Sequence, residues 1–357
     1  MSAWWSAHGA GIGRRWTWAA LAAVLVGVAA LVTGLGAADA PRTLGALMAS
    51  WIFFAGLAAG ALAFRAFFRI VTAGWARALS ALAVRQLGFA PVAVATLAVI
   101  LAGARLAPWL GPEADSPWLG ATALTLRELV LTTALFVLAF LALRPTPETE
   151  RPARAPAVGY LAAFAVVVSI WAFDFVLGPD PVFQSTLIGP FVFMGAFLGG
   201  TDLLALLAVT RGELADGERR DVAGLILALT IFWAYLFWSQ YLTIWYGNLP
   251  DEIEFALTRA AGGWGPVVLA VIALVFAVPF LTLLHPIGRR SPVALRALLA
   301  VQLLGLWLTC HLLVVPSLAA PGSAAIGARD VLVALGMLGA FVLATTRRSP
   351  DPARQSV

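Results

Sequence analysis

The sequence predicts an all-α integral membrane protein with about ten transmembrane helices, and three observations lead to that prediction. First, 61% of the 357 residues are hydrophobic and only 11% are charged, whereas a soluble domain carries roughly 25% charged residues. Second, the chain contains a series of apolar runs of about 20 residues, the length that crosses a bilayer as a helix. Third, the arginines concentrate in alternate connections between these runs. The charged side chains are too few to cover a water-exposed surface, so lipid must cover it.

Ten apolar runs follow one another along the chain, separated by short polar connections. Irregular backbone cannot face lipid, so a helix is predicted for each run. The second run continues past Phe64 and Arg65 to Trp75, and we expect this extension to lie in the membrane interface with its arginines reaching the headgroups. The spans are predicted at residues 16–36, 44–65, 87–107, 120–143, 156–178, 186–210, 222–246, 265–284, 293–316 and 327–345.

The arginines set the predicted orientation, since the chain has no lysine. The N-terminus, the connections after the second, fourth, sixth and eighth spans, and the C-terminal tail hold 18 of the 23 arginines. By the positive-inside rule both termini are cytoplasmic, and the opposite face is the outer face. The net positive charge of the chain therefore reflects its topology. The sequence shows no basic face with interleaved aromatic residues, so it does not indicate a nucleic-acid partner. The outer connections hold only Arg42, Arg105, Arg259 and Arg329, and Arg127 lies inside the fourth span.

We expect one membrane domain over residues 1–357, built as two four-helix bundles with peripheral first and last helices. Each bundle begins and ends on the outer face, so the two would be parallel repeats. The first run exceeds the usual h-region of about 7–15 residues. A retained helix is therefore favoured over a cleaved signal peptide, although Ala38-Asp39-Ala40 resembles a cleavage site. The predicted segments are 1–43, 44–178, 179–318 and 319–357.

Ionisable residues inside the fourth and fifth spans are candidate functional groups, because burying a charge in the membrane is costly. Arg127 and Glu128 are adjacent and point about 100° apart on a helix. Glu128 shares its face with Thr125 and Thr132. It is either a proton-accepting or ligand-binding carboxylate with Arg127 as counter-charge, or part of a structural ion pair. Asp174 lies near the outer end of the fifth span, as a site residue or as a capped carboxylate.

Two further candidates are Asp202 and His311. Asp202 lies roughly 12 Å from the cytoplasmic end of the sixth span, and an isolated acid there is neutral, paired or hydrated. A proton-relay role is one interpretation. His311 is either a proton carrier or a hydrogen-bonded packing residue. Because His285 and His311 lie at opposite ends of their spans, the pair does not suit a transmembrane haem, and no metal site is predicted.

The seventh span ends in the stretch SQYLTIWYGNLPDE, over residues 239–252. At 100° per residue, four hydroxyl side chains fall within about 80° of one another and form a stripe toward the outer face. Such a stripe carries protons, bonds a quinone carbonyl, or fastens helices together. Gln240 points in another direction and makes a second polar contact. The stripe residues are Tyr235, Ser239, Thr243 and Tyr246.

The longer run FWAYLFWSQYLTIWYGNLPDE, residues 232–252, resembles a signature of the F-type membrane subunit of alternative complex III. That family is the quinol:cytochrome c oxidoreductase quinone-binding subunit 2, in the polysulfide-reductase-type membrane anchor superfamily. The match includes Asn248, Pro250 and Glu252. Asp251 stands where the family usually has Glu, and Trp238 stands where it usually has Phe.

This resemblance implies a multi-pass subunit of the bacterial inner membrane that carries no redox centre of its own. It implies a related quinol-active membrane subunit, multihaem cytochromes and an iron–sulfur periplasmic subunit as partners, with haem and iron–sulfur clusters on those partners. Quinone binding and proton conduction by this chain are both open, so its part in catalysis is undecided. The alternatives are a purely structural anchor for partner subunits and a secondary transporter.

Overall fold

The computed structural model describes residues 14–71, 73–103, 118, 120–143, 154–180, 182–320 and 322–346. Helices are the only regular structure in these ranges, and ten of them are long and apolar enough to cross a membrane. The predicted fold class is therefore confirmed. The ten helices are α1 (Arg14–Leu35), α2 (Ala40–Val71), α3 (Gly74–Gly103), α4 (Ala121–Ala142), α5 (Arg154–Leu177), α6 (Ile188–Arg211), α7 (Asp216–Gly247), α8 (Gly265–Leu284), α9 (Pro292–Ser317) and α10 (Ala328–Thr346).

The segment after the predicted second span is helical up to Val71, and its place in the membrane interface stays a prediction. Helix α2 continues through this segment to Val71, and Phe64, Arg65 and Phe68 are buried. The Arg65 guanidinium donates to the Leu143 carbonyl oxygen at 2.9 Å and to the Ser80 carbonyl oxygen at 2.7 Å. Backbone carbonyls at the end of α4 and within α3 therefore solvate the charge, which takes the place of the headgroups that the sequence suggested.

The helices pack as two groups of four. Helices α2, α3, α4 and α5 contact one another in a closed ring, and so do α6, α7, α8 and α9. Helix α2 lies between the groups, where it contacts α6 and α9 and is almost entirely buried. Helices α1 and α10 pair with each other at the periphery.

Small residues allow the closest helix approaches. At the crossing of α2 and α6, a Cβ added to Gly60 would lie 1.9 Å from the Ala196 carbonyl oxygen, and one added to Gly200 would lie 2.2 Å from the Ala61 nitrogen. At the crossing of α1 and α10, a Cβ added to Gly27 would lie 2.5 Å from the Gly336 Cα. Backbone-to-backbone packing of this kind is typical of membrane helices.

A short helix, Pro250–Ala260, follows α7 and is too short to span a membrane. We call it the surface helix. It lies at the end of the molecule that holds the start of α2 and the ends of α5, α7 and α9, which the arginine count assigns to the outer face. The candidate sites described next lie at this end, except for Asp202.

Candidate functional site

An ion pair joins α4 to α5. Asp174 Oδ2 accepts from Arg127 Nη2 at 2.7 Å and from Arg127 Nε at 2.8 Å, and Asp174 Oδ1 accepts from Trp118 Nε1 at 3.1 Å. The Arg127 guanidinium also lies 3.9 Å from the centre of the Trp118 ring and donates to the Trp118 carbonyl oxygen. Asp174 is buried, so it is neither a solvated nor a merely capped carboxylate.

Glu128 lies beside this ion pair and is fully buried. The other two residues of the predicted polar face differ in burial. Thr132 is also buried and accepts from Trp171 Nε1 at 3.0 Å, while Thr125 is half-buried and bonds only to its own helix. No donor among the described residues reaches either Glu128 oxygen. Its carboxyl does, however, interact with the neighbouring Asp174 carboxyl.

The backbone around Asp174 departs from the regular helix. Residues Phe173–Leu177 form one π-helical turn at the end of α5, and the Gly178 N–H closes it on the Phe173 carbonyl oxygen at 3.0 Å. A π turn shifts the side-chain register of a helix and is common at functional sites. Here it places Asp174 toward α4 while Phe173 and Leu177 face a cleft between the bundles.

That cleft has a volume of about 710 Å³ and opens at the outer end of the molecule. Its walls combine aromatic rings with amide and hydroxyl groups. Gln240 and Ser185 bridge it, because the Ser185 hydroxyl donates to Gln240 Oε1 at 2.6 Å. The lining residues are Trp118, Phe173, Leu177, Gly178, Phe183, Gln184, Ser185, Thr186, Leu187, Gln240, Thr243 and Glu252.

The hydroxyl stripe of α7 does not line the protein interior. Tyr235 is 60% exposed and Tyr246 is 84% exposed, Ser239 between them is half-buried, and Thr243 lines the outer cleft. The opposite side of α7, with Trp233, packs against α6. The two tyrosines therefore do not line an internal path within this chain, and the role of the stripe stays a prediction. Gln240 points away from it, as predicted, into the cleft.

The outward side of α7 is also rich in aromatic rings. Phe232 stacks on Tyr235 with ring centres 6.1 Å apart, and Trp238 packs against Tyr241 at 5.6 Å. Trp238 and Trp245 are 56% and 63% exposed. We call this surface the aromatic face of α7; it comprises Phe232, Tyr235, Trp238, Tyr241, Trp245 and Tyr246.

The motif residues after α7 build the turn into the surface helix. Asn248 adopts a left-handed conformation at φ 49° and ends α7, as predicted, with its N–H bonded to the Ile244 carbonyl oxygen. Pro250 is the first residue of the surface helix. Glu252 faces the cleft. The side chain of Asp251 lies outside the described set.

Arg259 fixes the surface helix to the end of α9. Its guanidinium donates to the carbonyl oxygens of Leu312 and Leu313 and to the Ser317 hydroxyl, and Asp180 lies 3.8 Å away. Burial lowers the pKa of the Arg259 guanidinium to about 9, and Asp180 opposes the shift. The side chain stays charged at neutral pH and holds one wall of the outer end in place.

Asp202 is fully buried in α6, and no described donor reaches either carboxyl oxygen. Of the three states that the sequence left open, pairing with an arginine is excluded within the described ranges. Asp202 follows the close crossing at Gly200 by two residues, so it lies next to the packed interface of α2 and α6.

His311 belongs to a second buried ion cluster, at the start of α2 and α10. Its Nε2 lies 3.0 Å from the Ala325 carbonyl oxygen and 3.9 Å from Asp330 Oδ2. Asp330 pairs with Arg42 at 2.6 Å, and both side chains are buried. His311 is therefore a hydrogen-bonded residue between two tryptophans, Trp264 and Trp307.

Sequence reasoning did not find the Arg42–Asp330 pair. The sequence does contain a signal for a charged pair, because Arg42 and Asp330 each lie at the start of a predicted span at the outer face, where isolated charges are few. The pairing is invisible in the sequence because 288 positions separate the two residues. Among the described residues, no three His, Cys, Asp or Glu side chains gather as a metal site would require.

The chain was compared with known proteins. It matches no protein-family model and no curated protein sequence.

Proposed function

We propose that this chain is a membrane subunit of a quinol-oxidising electron-transfer complex. The resemblance in residues 232–252 motivates the proposal, and the aromatic face of α7 is the observation that supports it best. That face presents hydroxyl groups outward over about 16 Å of helix, from Tyr246 inward to Tyr235. No hydrogen bond joins the Tyr235 hydroxyl to another described residue.

The depth of Tyr235 favours a protein partner over lipid. It lies 12 residues from the outer end of α7, or roughly 18 Å along the helix, within a hydrocarbon core about 30 Å thick. Placing a hydroxyl in an apolar medium without a partner costs roughly 2–7 kcal/mol. A neighbouring membrane subunit can satisfy such groups, since hydroxyl side chains bond across helices inside membranes.

The outer cleft supports the finer proposal that quinone contacts this chain. Its volume lies within the range of about 300–1,000 Å³ that is typical of small-molecule sites. Gln184 and Gln240 offer amide donors for a carbonyl oxygen, and Trp118 and Phe173 offer ring faces. Replacing Gln240 with Leu should weaken quinol turnover without changing assembly, whereas Leu281→Ala, at an exposed position near the end of α8, should change neither.

Proton conduction is a second proposal, supported by two buried carboxyls without donors, Glu128 and Asp202. Asp202→Asn should lower proton release per quinol while assembly stays intact. An unchanged proton stoichiometry would remove Asp202 from the path. If every polar substitution changes assembly alone, the chain is only a structural anchor.

Copurification tests the main proposal. The tagged chain is extracted from native membranes in a mild detergent, and the eluate is examined by haem absorption and by electron paramagnetic resonance. We expect haem- and iron–sulfur-containing partners in constant ratio to the chain. A chain that elutes alone and catalyses solute uptake in liposomes would instead favour a secondary transporter.

A further inference from the structure

The arrangement of Glu128, Asp174 and Arg127 raises the question of which carboxyl group is protonated. Glu128 and Asp174 are both buried and interact with each other, and Arg127, which directly precedes Glu128 in the sequence, pairs with Asp174. An ionised carboxyl group only accepts hydrogen bonds, so two ionised carboxylates repel each other. A bond between them forms when one of them carries a proton. The remaining carboxylate then balances the single positive charge of Arg127.

The hydrogen bonds decide which carboxyl is ionised. Both oxygens of Asp174 already accept bonds, from Arg127 and from Trp118. Glu128 receives none from the described residues, although it is 0% exposed. A protonated Glu128 supplies its own donor and bonds to Asp174, which removes an uncompensated buried charge. The proton therefore belongs on Glu128.

Trp118 separates this carboxyl pair from the outer cleft. Its ring lines the cleft on one side, while its indole nitrogen bonds Asp174 on the other. Arg127 is held against the same ring and against the Trp118 carbonyl oxygen. Among the described lining residues, Glu252 is the one with an ionisable side chain. Trp118 thus contacts both the carboxyl pair and the cleft.

We propose that Glu128 and Asp174 hold a single exchangeable proton, and that this proton reaches the outer surface through the cleft past Trp118. The site is a proton-binding site of the chain itself, and it does not depend on quinol or on any partner subunit. No bond other than O–H is made or broken: the proton leaves Glu128 for water in the cleft, and a proton from the same water replaces it.

Infrared spectroscopy of the purified chain in lipid nanodiscs tests the site. The background is Asp202→Asn, because Asp202 is a second buried carboxyl that would give its own signal. We expect a band from one protonated carboxyl that shifts in chain labelled with carbon-13 glutamate and is absent in Glu128→Gln. In Asp174→Asn the band should also be lost, because Glu128 becomes the partner of Arg127. If carbon-13 glutamate labelling does not shift the band of the protonated carboxyl, the proposal is overturned. The labelling measurement itself requires no substitution of Glu128 or Asp174.

Hydrogen–deuterium exchange of the same band tests the route. Trp118→Ala should accelerate the exchange at least tenfold, because it opens the pair to the cleft. Trp245→Ala, an exposed outer tryptophan on α7, is the control and should leave the rate unchanged. Equal rates in wild type and Trp118→Ala would contradict exchange through the cleft.

Discussion

Two ion pairs join the starts of α2 and α10, and comparing them gives the sharpest stability prediction. Arg42 pairs with Asp330 at 2.6 Å, with side chains 7% and 1% exposed. Asp39 pairs with Arg329 at 3.5 Å, with side chains 46% and 35% exposed. The pairs are neighbours in sequence and in space but differ in burial.

Asp330→Asn should destabilise the protein by about 3–5 kcal/mol, because it leaves the Arg42 charge buried without its partner. Asp39→Asn should cost less than about 1 kcal/mol, since exposed pairs contribute little. In the double variant Arg42→Met with Asp330→Leu, most of the loss should be recovered. About 1 kcal/mol should stay lost, because Asp330 Oδ2 also accepts from the Gly327 N–H at the start of α10.

The assay is equilibrium unfolding in mixed micelles, followed by tryptophan fluorescence. The two single variants and the double variant are measured under identical conditions, so that their losses of stability can be compared directly. An Asp330→Asn variant no less stable than Asp39→Asn would refute the reasoning, because burial would then not determine how much an ion pair contributes to stability.

Two further predictions concern packing and orientation. Gly60→Ala should destabilise the protein by about 1–3 kcal/mol, because the added methyl group meets the Ala196 carbonyl oxygen at 1.9 Å. Gly159→Ala, where a Cβ meets nothing within 4 Å, should not destabilise it; equal losses in a thermal assay would argue against the crossing. In a background without the native cysteine, Thr258→Cys and Gly217→Cys should react with impermeant thiol reagents from opposite sides of the membrane. Reaction of both from one side would overturn the arginine-based topology.

The ten spans could be predicted because an apolar run of about 20 residues has few alternatives to a membrane helix. Their ends could not. Helix α2 extends from Ala40 to Val71, beyond its apolar run, because protein groups surround it and solvate Arg65. Helix α3 begins at Gly74, and not near residue 87, for a similar reason: Leu79, Leu82 and Phe89 are buried by neighbouring helices.

The candidate site was predictable in its members but not in its pairings. Helical spacing places Glu128 and Thr132 on one face, and both are buried. The partner of Arg127 is Asp174, on another helix, and periodicity carries no information about that choice. The direction of the α7 stripe was equally hidden, because Trp233 and Leu236 on the opposite face are as apolar as a lipid-facing surface.

The most direct test of the proposed function is photo-crosslinking from the aromatic face of α7. A photoreactive amino acid replaces Trp238 in one strain and the 66% exposed Leu281 of α8 in another, and both are irradiated in native membranes. We predict that position 238 crosslinks to a membrane protein that copurifies with haem or iron–sulfur subunits, and that position 281 gives no such product. Equal yields at the two positions, or a crosslinked protein without redox partners, would contradict the account.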